Sequence, residues 1–260
     1  MKKAIVVASF GCSLKNSRER YIETIENAVK DKYKDIDCFR VFTSEIIRRK
    51  MKREENIDID NMKSCLQKLK ESSYTHVYVS VTHVIPGFEY EKILRAINEY
   101  KNDFEEIKVA RTLLDDYMGE NEINVLKSYI NTNLQDDEAV ILVGHGTEHD
   151  SHKYYDKIEK MISKDIQNLY IVCIEGKPYI DDILYELQEN NYKRIYLYPF
   201  LIVSGDHALN DIGSDVEDSI KSKIANSGFD VNMIFTGLGE NENTINLFVN
   251  RLNEILVLSD

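Results

Sequence analysis

Short apolar runs rich in β-branched residues alternate along the chain with stretches that repeat apolar positions every three to four residues. The first pattern is typical of buried strands, and the second is typical of helices that cover a sheet. The apolar runs predict strands at 3–10, 36–43, 76–82, 107–112, 138–143, 168–174, 194–200 and 231–236. Strands that alternate with helices form parallel sheets, so the pattern predicts an α/β fold.

The two halves of the chain resemble each other in sequence. "AIVVASFG" matches "VILVGHG", "HVYVSVTHVIPGFEYEKI" matches "RIYLYPFLIVSGDHALNDI", and "GENEINVLKSYI" matches "GENENTINLFVN". A repeat this long indicates a duplicated α/β lobe rather than a solenoid. The first half carries extra residues between its first and third strands, and 45–60 is the predicted insertion.

The repeat predicts the domain organisation. We expect two duplicated lobes, each a four-stranded parallel sheet flanked by helices, with a cleft between them. The N-terminal lobe is predicted at 1–118, a connecting helix at 119–137 and the C-terminal lobe at 138–260.

Three polar side chains follow successive strands of the second half, namely His145, Glu175 and His207. The carboxyl ends of parallel strands share one edge, where open α/β sheets bind ligands. Two imidazoles and a carboxylate suit Co²⁺, Fe²⁺, Ni²⁺ or Zn²⁺, with coordination positions left for water or a substrate. The alternatives are a loop histidine with an ordinary hydrogen bond and a glutamate that caps a helix.

Alignment of the repeats places Phe10 opposite His145 and Glu89 opposite His207. Glu89 is therefore a candidate to steer a cation or to accept a proton. Alternatively, it is a first-turn residue favoured by the dipole of its helix. Phe10 and Phe88 could offer apolar surface to a ring-shaped ligand or could belong to the core.

Other polar residues are weaker candidates for binding. Ser9 and Ser13 lie near the end of the first strand, where a helix amino terminus would favour anions. The basic stretch 48–53 lies in the predicted insertion and either meets substrate carboxylates or forms a solvated helix end. His149 and His152 are expected to be solvated polar residues.

The amino-acid composition argues against several classes of function. The formal net charge of −12 disfavours nucleic-acid binding, and no apolar segment is long enough to span a membrane. The four cysteines are far apart and form no C-x-x-C pair, which argues against a zinc ribbon, a redox dithiol or a disulfide framework. A reducing cytoplasm fits this cysteine usage.

At several of these motifs the chain resembles a known family. "SFG", "THVIPGFEYEKI", "LVGHGTEH", "CIEGKP" and "YPFLIVSGDHALNDI" together resemble the class II tetrapyrrole chelatases, and among them the cobalt chelatases of anaerobic cobalamin synthesis that act on sirohydrochlorin. The resemblance implies two four-stranded lobes, with His145, Glu175 and His207 as ligands of the incoming metal. Neutral imidazole can also accept a proton, so His145 is expected to be catalytic as well, together with Glu89.

The resemblance also implies the partners. We expect a sirohydrochlorin-type tetrapyrrole and a divalent metal ion as substrates, with Co²⁺ favoured over Fe²⁺ or Ni²⁺ and no permanently bound cofactor. Neither nucleic acid nor membrane is expected as a partner, and a homo-oligomer is compatible with the sequence, which leaves the oligomeric state open.

Other functions compete with cobalt insertion. Ferrochelatase-type or nickel insertion would use the same donors, and a metal or tetrapyrrole carrier would share two lobes and a cleft. "GHG" is reminiscent of the R-H-G of phosphohydrolases and phosphomutases, which use a nucleophilic histidine. However, Gly144 precedes His145, and no arginine adjoins it to bind phosphate.

Overall fold

The computed structural model describes residues 1–130, 133–205 and 208–257. The described residues form two four-stranded parallel sheets. The strands of the first sheet are β1 (Lys3–Ser9), β2 (Asp37–Phe42), β3 (His76–Val81) and β4 (Glu106–Val109). Those of the second are β5 (Glu138–Gly146), β6 (Leu169–Glu175), β7 (Arg194–Pro199) and β8 (Asp230–Met233). The predicted α/β class and the location of each strand are confirmed.

Both sheets have the same topology. The strand order is β2-β1-β3-β4 in the first and β6-β5-β7-β8 in the second. Every neighbouring pair is parallel. Parallel neighbours need crossover connections, which places the carboxyl ends of all strands in a sheet at one edge. The repeat found in the sequence therefore corresponds to two sheets with the same strand order.

Helices connect the strands. The α-helices are α1 (Lys15–Ser17), α2 (Thr24–Lys32), α3 (Glu45–Glu54), α4 (Met62–Glu71), α5 (Phe88–Tyr100), α6 (Glu120–Tyr129), α7 (Lys153–Ile162), α8 (Ile180–Glu189), α9 (Ile220–Asn226) and α10 (Glu242–Val257). A π-helical segment, Arg18–Glu23, joins α1 to α2, and a 3₁₀ turn, Asp150–His152, precedes α7. No helix among the described residues is long and apolar enough to cross a membrane.

Between its second and third strands, the first sheet has one more helix than the second sheet. Helices α3 and α4 both lie between β2 and β3, whereas α8 alone lies between β6 and β7. The side chain of Ser44 caps α3 by accepting a hydrogen bond from the Ile47 backbone N–H at 3.4 Å. The extra helix lies within 45–60, which confirms the predicted insertion.

The chain divides into two compact units at positions that differ in part from the predicted ones. The first unit combines Met1–Asp115 with α10, and the second spans Asp116–Asn241. The predicted C-terminal lobe, 138–260, is thus corrected at its end, because α10 packs on the first sheet. The predicted connecting helix falls within the second unit, where α6 packs against α7.

Each unit has its own apolar core. Strands β1 and β5 are almost continuously apolar because helices cover both faces of a parallel sheet. From Ala4 to Ala8 and from Ala139 to Val143, every side chain is fully buried. These rigid central strands carry the candidate residues at their carboxyl ends.

Candidate functional site

His145 and Glu175 come together at the carboxyl edge of the second sheet. β5 extends to Gly146, so His145 lies inside the strand rather than beyond its predicted end at 143. Gly146 is the register partner of Glu175, the last residue of β6. The His145 Nδ1 atom lies 3.8 Å from Glu175 Oε2, and both side chains are accessible to solvent. The imidazole of His145 and the carboxylate of Glu175 are therefore neighbours at this edge, and both are donor types that a divalent ion binds.

The surroundings of His145 favour one tautomer. Its Nδ1 atom faces the carbonyl oxygen of Gly146 at 3.2 Å. A carbonyl can only accept a hydrogen bond, so this contact favours a proton on Nδ1. The lone pair is then on Nε2, where it can bind a metal ion or accept a proton.

Helix α7 supports the end of β5 through Tyr155. A Cβ atom at Gly144 would lie 2.7 Å from the Tyr155 ring, so only glycine fits there without movement of the ring. Tyr155 is 2% exposed, and burial raises its pKa, while hydrogen bonds from the Gly146 and His145 backbone act in the opposite direction. Gly144 thus allows close packing of a buried tyrosine under the strand.

Cys173 lies in β6 close to this edge but is not suited to bind a metal. Burial, together with smaller contributions from Asp156 and Glu159, raises the pKa of its thiol to about 12. The thiol therefore stays protonated near neutral pH, whereas a metal ligand must be a thiolate. The candidate donors at this edge are therefore the imidazole nitrogen of His145 and the carboxylate oxygens of Glu175, and their role as metal ligands stays a prediction.

The third predicted ligand, His207, lies outside the described residues. Within the described ranges, no three His, Cys, Asp or Glu side chains come together closely enough to hold a metal ion. Of the three predicted metal ligands, the structure therefore describes two, His145 and Glu175.

The carboxyl edge of the first sheet carries two exposed aromatic side chains and one buried serine. Phe10 and Phe88 are 44% and 51% exposed, so they are not core residues. Ser9 is buried, and its hydroxyl accepts a hydrogen bond from the Thr82 hydroxyl at 2.9 Å. The Ser9 side chain thus points inward toward Thr82, and a role in binding substrate stays a prediction. Ser13 is half-buried.

Glu89 occupies the first turn of α5, beside the exposed Phe88. Its Oε1 atom pairs with Lys92 at 2.5 Å, while Oε2 is buried and has no hydrogen-bond partner among the described residues. The position thus agrees with the helix-dipole interpretation and also leaves one carboxylate oxygen uncompensated. Buried acceptors are usually hydrogen-bonded in folded proteins, so this oxygen is a candidate to accept a proton or a hydrogen bond.

His83 adds a second uncompensated group near Glu89. The side chain is 9% exposed, and neither ring nitrogen has a hydrogen-bond partner in the part of the chain that is described. Burial lowers its pKa to about 4, and the carboxylate of Glu89 acts in the opposite direction. His83 is therefore neutral at physiological pH. The sequence reasoning missed it, although it follows β3 much as the predicted ligands follow their strands.

Most arginine and lysine side chains of the stretch 48–53 form ion pairs with nearby acidic side chains. Arg49 pairs with Glu45, Lys52 with Asp58 at 3.3 Å, and Arg53 with Glu54 at 2.5 Å. Arg48 is half-buried, with an Nε atom that has no partner among the described residues. The solvated-helix interpretation therefore fits Arg49, Lys52 and Arg53, and Arg48 remains a candidate for an anionic ligand.

His149 and His152 are not the solvated residues expected from the sequence. The His149 Nδ1 atom accepts a hydrogen bond from the Ser151 backbone N–H at 3.0 Å and so caps the 3₁₀ turn. His152 contacts the backbone of two separate loops, at Thr147 and Lys177. Such contacts between distant segments leave no signal in local sequence patterns.

Comparison with known proteins agrees with this geometry. The cobalt chelatase (CbiK) family matches residues 3–257. The sirohydrochlorin cobaltochelatase of Salmonella typhimurium is 32% identical over 256 residues, which cover 98% of this chain and 97% of that protein. The sirohydrochlorin cobaltochelatase CbiKC of Nitratidesulfovibrio vulgaris is 28% identical over 254 residues, covering 96% and 89%.

A solved structure shares the fold. SirB from Bacillus subtilis with Fe³⁺ aligns with a TM-score of 0.65 at 14% identity, covering 100% of this chain and 97% of that one. The chain thus combines two like-ordered parallel sheets, a histidine and a glutamate at one strand edge, and a full-length family match. It belongs to the cobalt chelatase (CbiK) family.

Proposed function

We propose that this protein inserts Co²⁺ into sirohydrochlorin, as the names of its relatives describe for those proteins. Both the metal ion and the tetrapyrrole are substrates, and no permanently bound cofactor is required. The observation in the structure that carries the proposal is the pairing of His145 with Glu175 at the end of two adjacent strands. This pair offers nitrogen and oxygen donors that a divalent ion can bind and leave again.

The reaction makes two chemical demands. Two pyrrole N–H protons must leave the macrocycle, and a hydrated divalent ion must lose water and bind the ring nitrogens. In our proposal Nε2 of His145 serves the two demands in turn: it binds the incoming ion and, once the ion has passed to the ring nitrogens, it accepts a pyrrole proton with the released lone pair. Glu175 and His207 are the other proposed ligands.

Residues of the first unit have proposed roles as well. Glu89 is our candidate acceptor for a second proton, because its Oε2 atom is buried without a partner in the described part of the chain. Phe10 and Phe88 expose aromatic faces at the same sheet edge, where a tetrapyrrole ring could pack on them. We further propose a reducing compartment, the cytoplasm, which suits the four free cysteines.

The test follows the absorbance of sirohydrochlorin with Co²⁺ under anaerobic conditions, with and without protein. The wild-type protein should metallate the ring far faster than the protein-free control. His145→Ala should lower this rate by about 10²–10⁴-fold, the usual contribution of a general base. Glu89→Gln should slow it less, since it removes one proton acceptor but no proposed metal ligand.

His76→Gln is the matched control for His145. His76 is a buried histidine at the first residue of β3, the amino end of the strand and so the opposite edge of its sheet. Its rate should remain close to wild type. Normal turnover by His145→Ala would contradict the proposed role, and a perturbed spectrum without turnover would indicate a carrier. Parallel assays with Fe²⁺ and Ni²⁺ test the choice of metal.

A further inference from the structure

His152 links the two loops that follow the candidate metal donors. Thr147 comes two residues after His145, and Lys177 comes two residues after Glu175. The backbone N–H of Thr147 donates to His152 Nδ1 at 3.3 Å, and His152 Nε2 lies 2.5 Å from the carbonyl oxygen of Lys177. One imidazole thus bonds to the backbone of both loops.

These contacts define the state of the ring. The Lys177 carbonyl can only accept, so Nε2 carries the proton and donates it. Nδ1 accepts from a backbone N–H, so it carries the lone pair. Both bonds form together only when His152 is neutral and in this tautomer.

Gly176 and Tyr155 also lie close to the His152 ring. A Cβ atom at Gly176 would lie 2.8 Å from His152 Cε1, so the loop after β6 approaches the ring as closely as a glycine permits. One helical turn later, Tyr155 packs under Gly144, and the rings of His152 and Tyr155 lie 5.5 Å apart between centroids. The start of α7 therefore contacts β5 and the loops after both strands.

We propose that His152 is a positioning residue that holds His145 and Glu175 at the spacing needed to bind one metal ion. The inference rests on the proposed function, because it concerns the same metal site. Strand pairing aligns the backbones of β5 and β6 as far as Gly146 and Glu175, and the register ends there. A side chain that bonds to both loops restricts their motion before the metal binds. Metal binding then costs less conformational entropy.

The test is a titration of the purified protein with Co²⁺ alone, followed by the visible absorption of the bound ion. His152→Ala should bind Co²⁺ about 10–100-fold more weakly, which is the usual effect of losing a group that orients metal ligands. The absorption bands should also change, because the geometry of the donors changes. A mere loss of helix stability would leave the bands of the bound ion unchanged.

Two further variants make the result specific. His152→Gln keeps one acceptor and one donor, so it should recover part of the affinity that His152→Ala loses. His149→Ala is the matched control, because His149 caps the same 3₁₀ turn through its bond with the Ser151 backbone N–H. It should bind Co²⁺ with wild-type affinity.

The outcomes separate this inference from the proposed function. Wild-type affinity and bands in His152→Ala, or an equal loss in His149→Ala, would overturn the positioning role while leaving the metal site standing. No recovery in His152→Gln would also count against it. If His145→Ala binds Co²⁺ as well as wild type, or if wild type binds none, the metal site itself is wrong, and both proposals fail.

Discussion

Gly146 determines how closely His145 and Glu175 approach each other. Its φ is +81°, a region that side chains with a Cβ rarely adopt. A Cβ atom there would lie 1.7 Å from the carbonyl oxygen of Glu175, far inside van der Waals contact. The missing side chain lets β5 and β6 stay paired to their last residues, and this pairing brings the two donors together.

Gly146→Ala should therefore destabilise the fold for two reasons. The left-handed backbone costs an alanine about 1–2 kcal/mol, and displacement of the crowded strand costs about 1–3 kcal/mol more. Because Glu175 must move, Co²⁺ affinity should also fall. Chemical denaturation and Co²⁺ titration measure the two effects.

Gly228→Ala is the matched control for this substitution. Gly228 has a φ of +97°, but nothing lies within 4 Å of a Cβ built there. It should show only the backbone cost of about 1–2 kcal/mol and unchanged Co²⁺ binding. Equal effects of the two substitutions would mean that the contact with Glu175 is unimportant.

His83 makes stability depend on pH. Burial lowers its folded-state pKa to about 4 from an ordinary value of 6.5. Between these values the unfolded chain binds a proton that the folded chain does not, so acid favours unfolding. The stability associated with His83 is fully present above pH 6.5 and is lost as the pH falls toward 4.

Replacement of His83 by Phe should remove this contribution. In the wild-type protein the contribution amounts to about 3 kcal/mol between pH 6.5 and pH 4. His83→Phe keeps a buried ring without a titrating group, so its free energy of unfolding should fall less over this range. Denaturant titrations at several pH values measure the difference. Parallel curves for the two proteins would show that His83 is not a buried neutral histidine.

At the scale of elements, α10 completes the first unit. Its buried side chains Val249, Leu252 and Leu256 pack with Ile5, Val7 and Tyr78 of the first sheet. The apolar stripe of α10 shows from sequence that one face is buried, but the stripe does not specify which sheet covers it. The chain thus returns to its first unit after the second is complete.

Leu252→Ala should lower the free energy of unfolding by about 2–5 kcal/mol, as expected for a cavity in a well-packed core. Leu252 is fully buried. Val257→Ala is the control on the same helix, because Val257 is 62% exposed and should contribute less than about 0.5 kcal/mol. Chemical denaturation of the full chain measures both variants. A small loss at Leu252 would contradict the packing of α10 on this sheet.

For the whole molecule, the duplication explains where the candidate residues occur. In both sheets the first strand along the chain is central, with the second strand on one side and the other two on the opposite side. Equivalent strand ends therefore carry Phe10 and His145, and the segment after β3 carries Glu89. The two units thus share one topology but carry different side chains at equivalent positions. These are aromatic in the first unit and, in our proposal, metal-binding in the second.

The sequence by itself determined the strands, the parallel α/β class, the inserted helix and the strand ends that carry His145 and Glu175. These features depend on local apolar periodicity, which a single sequence contains. They depend also on the general rule that parallel strands end at one edge of their sheet. The tertiary structure decided the 3.8 Å approach of His145 to Glu175, the burial of Ser9, the bonds of His152 and the sheet that α10 covers. Each of these is a contact between segments far apart in the chain, and such contacts are set by how side chains fill space once the elements pack.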